Sequence, residues 1–271
     1  MTPTFVRGRL SDLRQLFRAI ANEWRKFWSV RATAATLTML PIVALLFSWM
    51  FSAGGGRTYG TLTAAEQAAF DPTAISLQSH LMAQMVVGIL GVLAVTSEYS
   101  TGMIASTAIV VPRRGILFLA KTLVIFVGSL VAGVATALSS FLLGQAVLAS
   151  HGAPTASLAE PAVIRAVVGM GVYLAVTAVL GLAVGILTRS SAGALGIIVA
   201  TMLVFPSLSQ NLPATLADFI ARFWPSIAGS RIMTVVPDPA MLPPLTGFIV
   251  FYLTVLVTTL AAFITFRRRD I

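Results

Sequence analysis

Cysteine is absent from the 271-residue chain, and histidine occurs only twice, at His80 and His151. Disulfides, thiolate catalysis and Cys-ligated metals are therefore excluded, and two histidines so far apart leave little from which to build a His-based metal centre. Charge is scarce as well. Only 10% of residues are Asp, Glu, Lys or Arg, against about 25% in soluble domains. Nine acidic and eighteen basic residues give a formal net charge of +9. An excess of that sign can mean nucleic acid, but these cations lie beside apolar runs and form no Lys/Arg-rich module with interleaved aromatics, so no nucleic-acid partner is expected.

What the chain has is apolar surface. Hydrophobic residues make up 57% and the mean hydropathy is +0.92. A helix crosses ~30 Å of hydrocarbon with ~20 mostly apolar residues. Six segments read as spans, over about 33–51, 75–96, 116–149, 163–187, 192–208 and 245–266. The expected fold is an all-α membrane protein with six transmembrane helices in one domain over residues 33–271. The third segment is over-long, so it tilts or protrudes. The fifth is short. Gly54, Gly55 and Gly56 are expected to break the first span, and Thr63 with Glu66 has capping-box spacing for a short helix ended by Asp71 and Pro72. A signal peptide would compete for the first span, but its n-region would exceed thirty residues, and the apolar run is long enough to cross.

Residues 1–32 precede the spans. Leu13, Leu16, Phe17, Ile20, Trp24, Phe27 and Trp28 recur at helical spacing, while Arg14, Arg18, Arg25 and Lys26 occupy the remaining surface. This pattern predicts an amphipathic helix lying in the membrane interface, or one packed on a partner with the same stripe. With the N-terminus inside, six crossings return the C-terminus inside. Only Arg57, Arg165, Arg222 and Arg231 then fall outside, which leaves fourteen of the eighteen basic residues on the cytoplasmic side. The positive-inside rule therefore places both termini in the cytoplasm of a multi-pass protein of the inner or plasma membrane.

Ionisable residues are nearly missing from the spans. Gln84 and Gln145 are neutral, and His80, Arg165 and Lys121 are expected near span ends, within reach of water. Proton- or sodium-coupled transport usually needs buried carboxylates or broken, ion-coordinating helices, so energy for any transport must come from another chain. The one resemblance to a phosphate loop, GILFLAKT from Gly115 to Thr122, has Ala120 at the second glycine's place and opens an apolar span. No catalytic, cofactor-binding or metal-binding residue is assigned, and the chain is not expected to be an enzyme.

The most informative segment is SEYSTGMIASTAIVVPRRGILFLAK, from Ser97 to Lys121. Ser97 is placed to cap a short helix with Glu98 in its first turn, Gly102 allows a bend, and Arg113 and Arg114 fix the return at the inner surface. On these grounds alone it is also an ordinary positive-inside loop. Glu98, then Gly102, Met103 and Ile104, then Pro112 and Arg113, then Lys121 resembles the loop of ABC-2 type permeases, the membrane subunits of ABC exporters. NEWRKFWSVRATAATL (Asn22 to Leu37) looks like the elbow of actinobacterial members, and GILGVLAVTSEYSTGMI (Gly88 to Ile104) agrees. Many members continue with an arginine and a leucine where this chain has Ala105 and Ala108.

The resemblance implies a coupling helix formed or flanked by Glu98, Tyr99, Ser100, Thr101, Gly102 and Met103, docking on a separate ATPase subunit. Arg113, Arg114 and Lys121 would contact that partner or lipid phosphates. It further implies two ATPase copies holding the ATP and Mg, a second permease subunit of the same or a related kind, and a hydrophobic or amphiphilic substrate. An ATP-independent channel or scaffold is the alternative. Between spans five and six, Leu216, Phe219, Ile220 and Phe223 share one helix face opposite an Asp218–Arg222 pair. The resemblance implies a re-entrant helical hairpin there, whereas the pattern alone also fits an amphipathic helix on the outer leaflet. Gly181 and Gly185 have the spacing that lets helices approach, within the chain or between copies.

Overall fold

The computed structural model describes residues 3–100, 114–236 and 238–268. Among these there is no strand, and six helices are long and apolar enough to cross a membrane. In chain order the helices are α1 (Pro3–Ser29), α2 (Arg31–Tyr59), α3 (Ala64–Ala68), α4 (Pro72–Leu77), α5 (His80–Ser100), α6 (Arg114–Ser150), α7 (Pro161–Thr188), α8 (Ser191–Leu208), α9 (Ala214–Phe223), α10 (Pro225–Ser230) and α11 (Pro244–Arg268). The spans are α2, α5 extended by α4, α6, α7, α8 and α11. They alternate in direction, so Arg31, Arg114, Arg189 and Arg267 gather at one end of the bundle, hereafter the basic end.

Helix α7 is apolar all round, and such a helix is stable only when surrounded. In its most apolar stretch 89% of residues are buried, against 17% in α2 and in α8, so α7 is the axis of the bundle. Helices α5, α6, α8 and α11 pack around it, α2 packs against both α6 and α5, and α1 packs against α6. The α5–α7 contact is backbone against backbone. A Cβ on Gly91 would overlap the carbonyl of Ala178, and one on Gly181 would overlap that of Gly88. The small-residue face bearing Gly181 and Gly185 is thus filled by α5 of the same chain and is not available to a second copy.

Two expectations about the first loop are corrected. The glycine run does not end span one, and α2 continues through it to Tyr59. The reason is packing, since a Cβ on Gly56 would come within 2.8 Å of the His151 side chain and one on Gly55 within 3.3 Å of Ile75. The capping box forms, with Thr63 N–H donating to Glu66 Oε2 at 2.8 Å. Asp71 and Pro72, however, open α4 where they were expected to end α3. Asp71 Oδ1 accepts from the amides of Thr73 and Ala74 at 3.0 and 2.9 Å, with Pro72 in the first turn.

The other oxygen of Asp71 reaches across the molecule. Oδ2 accepts from Val235 and Val236 N–H at 2.6 and 2.9 Å, while the Arg165 guanidinium donates to the carbonyls of Ile232 and Thr234 at 3.0 and 2.9 Å. Residues 232–236 are thereby strapped across the end remote from the basic one. Replacing Asp71 with alanine should remove the α4 cap, at about 1 kcal/mol, and leave two strap amides unsatisfied. Hydrogen exchange at Val235 and Val236 should rise by about tenfold or more; unchanged protection there would refute the clasp. Close by, Gln145 of α6 donates to Pro72 O and Ser76 Oγ, both at 2.9 Å, and accepts from Ala156 N–H at 2.7 Å.

Span five is not a regular helix. Over Ala200–Val204 the turn widens, and Phe205 N–H bonds back five residues to Ala200. Pro206 has no N–H to return to Met202, four residues earlier. The carbonyls released are taken by neighbours: Trp224 Nε1 donates to Thr201 O at 2.8 Å, and Gln84 Nε2 to Met202 O at 3.3 Å. Gln84 Oε1 in turn accepts from the buried Tyr173 hydroxyl at 2.5 Å. Helices α9 and α10 meet at Trp224–Pro225. α10 packs against α11, whereas α9 buries none of its residues. Leu216, Phe219 and Phe223 are exposed and Ile220 is partly so. The Arg222 guanidinium lies over the Phe223 ring at 5.5 Å, turned from the expected Asp218 pairing.

Candidate functional site

Four charged side chains converge at the basic end. Lys121 Nζ, from α6, donates to Glu23 Oε2 of α1 and to Glu98 Oε1 of α5, each at 2.7 Å. Lys26 Nζ, one turn from Glu23 along α1, donates to Glu23 Oε1 at 3.1 Å and to Glu98 Oε1 at 3.4 Å. Glu23 and Glu98 are 5% exposed and Lys121 is 6% exposed. The Lys121 ammonium also lies 3.4 Å from Ala94 O. Two carboxylates and two ammoniums cancel, which is the condition under which charge tolerates burial.

Helix α1 brings its pair to this point because its stripe divides. Phe27 is buried, seated where a Cβ on Gly128 of α6 would overlap its ring, and Ile20 packs against the core. Phe17, Trp24 and Trp28 remain exposed, Trp24 stacked on Phe27 at 5.9 Å and Trp28 edge-on to it at 5.5 Å. One helix therefore presents an inward Glu23–Phe27 face and an outward aromatic face suited to an interface. Burial raises the Glu23 carboxyl, but Lys121 and then Lys26 outweigh it and hold the group below its ordinary value of 4.5. Burial likewise lowers Lys26, and Glu23 and Glu98 outweigh it, leaving the ammonium above 10.5.

Several expectations for the Ser97 to Lys121 segment change. Ser97 does not cap a new helix. Its hydroxyl donates to Leu93 O at 2.6 Å, and α5 runs on through Glu98 and Tyr99 to Ser100. Glu98 is turned inward onto the two lysines. Lys121, expected within reach of water at a span end, is buried, and its amine is engaged by Glu23 and Glu98. That correction has a physical reason: the two carboxylates arrive from segments far away in sequence and solvate the ammonium in place of water. Tyr99 is half-buried with the Arg189 guanidinium over its ring at 5.4 Å. Arg189 ends α7 in the left-handed region at φ 53°, and beside it Ser191 Oγ donates to Thr96 Oγ1 at 2.8 Å. Arg114 opens α6 and is half-buried. Thr101, Gly102, Met103 and Arg113 lie outside the described residues, as does the side chain of Ser100.

The last turns of α5 are therefore fastened on both sides: to α1 and α6 through Glu98, and to the α7–α8 corner through Tyr99 and Thr96. No group of three or more His, Cys, Asp or Glu placed to hold a metal occurs among the described residues. Glu23 escaped sequence reasoning because it sits among the cations of an amphipathic helix; its spacing of four from Phe27, on the buried face, was the available signal. Gln84 and Tyr173 gave less, since nothing in the sequence shows that Pro206 frees carbonyls beside them.

A family model described as ABC-2 family transporter protein matches residues 19–207, which contain all four cluster residues. No curated protein matches the chain.

Proposed function

The chain belongs to the ABC-2 family of transporter membrane proteins, and on that premise we propose that it is the permease subunit of an exporter driven by ATPase subunits on separate chains. The observation that carries this reading is the buried cluster joining Glu23, Lys26, Glu98 and Lys121. It makes the elbow helix, the end of span two and the start of span three one body at the base of the loop that follows Ser100. A push on that loop by a closing ATPase pair moves three elements together, and the Tyr99–Arg189 contact passes it to spans four and five. The work available is limited to the difference in the partner's affinity for the two permease conformations.

In this reading Thr101, Gly102 and Met103 meet the partner, with Ser100 at the boundary, while Glu98 and Tyr99 anchor the loop from inside. The basic end faces the cytoplasm, a placement the charge asymmetry supports, and both termini lie there. Two copies, or this chain and a relative, form the pathway for a hydrophobic or amphiphilic substrate. The α9–α10 unit is a re-entrant hairpin at the outer end, held by Trp224 on the widened turn of span five.

The test is co-purification from mildly solubilised membranes followed by ATPase measurement. Tagged protein should bring down an ATP-hydrolysing subunit, and replacing Gly102 with a bulky residue should weaken permease-dependent stimulation by about tenfold while the complex stays assembled. A tagged permease that never captures an ATPase would return the chain to the channel or scaffold class.

A further inference from the structure

Beside the charge cluster lies a cavity of about 300 Å³, walled in part by Phe27, Leu90, Leu93 and Val124. That is on the order of ten times the volume a water molecule takes in the liquid, in an interior where voids larger than one water are few. Its mouth is the α1–α2 corner, where Val30 and Ala32 are exposed. Of the hydroxyls on its wall, Thr36 donates to Ala32 O at 2.7 Å and Ser97 to Leu93 O at 2.6 Å. Thr33 is different. The residue is 7% exposed, and its hydroxyl has no hydrogen-bond partner among the described residues. Nor is that oxygen sealed from water as the orphaned hydroxyls of Ser52 and Ser140 are, so it faces the cavity.

Thr33 stands in the first turn of α2, and that turn is uncapped. Val30, at the N-cap, is extended and supplies no side-chain acceptor, no acidic residue occupies the turn, and the first α2 amide to reach a carbonyl is that of Ala34, on Val30 O at 3.1 Å. The N–H groups of Arg31, Ala32 and Thr33 are thus without partners among the described residues, beside the free hydroxyl. Cations stand with them. Arg31 is exposed, and Lys26, half-buried at the edge of the cavity, gives two of its three N–H donors to Glu23 and Glu98. Both carboxylates also line the cavity, but the lysines answer their charge within the cluster. The carbonyls that end α1 share this corner, so the pull on a ligand comes from directed donors and cations and not from a net helix dipole. Uncommitted donors select an acceptor bearing negative charge, and the apolar wall behind them selects hydrocarbon. We propose that this corner binds a membrane phospholipid, its phosphate on the amides of residues 31–33 and the Thr33 hydroxyl, and one acyl chain in the cavity between the elbow helix and spans one to three.

The proposal is independent of ATPase coupling and is tested without the partner. Purified full-length protein is examined by native mass spectrometry after extraction from phosphatidylcholine vesicles doped equally with phosphatidylglycerol and with diacylglycerol of the same chains. Phospholipid should be retained about tenfold better than diacylglycerol, which has the chains without the phosphate. Val30→Asp puts a carboxylate at the N-cap, where it satisfies the same amides and repels an anion. That variant should unfold at the native temperature or above it and lose the retained phospholipid. Thr33→Val keeps the shape and removes the hydroxyl; it should weaken retention by about tenfold, and Thr33→Ser should restore it. Inorganic phosphate should leave the lipid in place. Equal retention of diacylglycerol, undiminished retention in either folded variant, or displacement by inorganic phosphate, which would make this a site for a free anion, would overturn the proposal. Loss of ATPase capture with phospholipid retention intact would instead count against the transporter reading alone.

Discussion

Replacing Lys121 with methionine is expected to cost the fold about 3–5 kcal/mol, the range for removing one partner of a buried ion pair. Methionine fills a similar volume, so the loss reports charge. Glu23 and Glu98, 2.7 Å from the same ammonium, would be left buried with the half-buried Lys26 as their remaining cation among the described residues. Thermal unfolding in detergent should show the drop. Adding Glu23→Gln and Glu98→Gln to the methionine variant should recover much of it, because the uncompensated charges are then gone. A Lys121→Met protein as stable as the native one would mean that the cluster contributes nothing. Acid provides a second readout. The Glu23 carboxyl is held below 4.5, so its contribution to stability is complete above that pH and is lost as pH falls through the lower folded value. In Lys121→Met the acid-side loss should shrink or reverse, because protonation then removes uncompensated buried charge as the glutamine changes do.

The second large effect is steric. Leucine at Gly91 should prevent α5 from seating on α7, since even a Cβ there would overlap the Ala178 carbonyl and approach Leu182 N at 2.8 Å. Backbone cannot rotate away as a side chain can. Alanine alone should cost about 1–3 kcal/mol or more, and leucine should abolish monodisperse protein on size exclusion. Gly196 of α8 is the control, for a Cβ there meets nothing within 4 Å, and its alanine variant should behave as native. Well-behaved Gly91→Leu protein would show that the α5–α7 contact can open without unfolding.

The spans were legible because their signal is additive: twenty apolar residues declare a crossing whatever they touch. The triple glycine misled because backbone entropy argues for a break, while the contacts with Ile75 and His151 that outweigh it come from distant segments. Lys121 misled for the same reason. In sequence it is a cation near the start of an apolar run, and the two carboxylates that enclose it lie 98 and 23 residues away. Glu98 was singled out for its place in the loop, yet what the structure adds is its direction, inward onto the elbow. Short-range grammar survived where neighbours suffice, as in the Thr63–Glu66 box.

Helix α6 is 37 residues long, about 55 Å at 1.5 Å per residue, against ~30 Å of hydrocarbon. It is gripped near one end by the ion cluster at Lys121 and near the other by the Gln145 bonds to Pro72, Ser76 and Ala156. These grips stand about 36 Å apart along the axis. A rigid beam of that length, tilted by about 3° at its charged fulcrum, sweeps its far end through about 2 Å. The hydrogen bonds at Gln145, 2.7–2.9 Å long, cannot stretch that far and hold. A displacement too small to register at the loop is therefore enough, by leverage alone, to unlatch the opposite face.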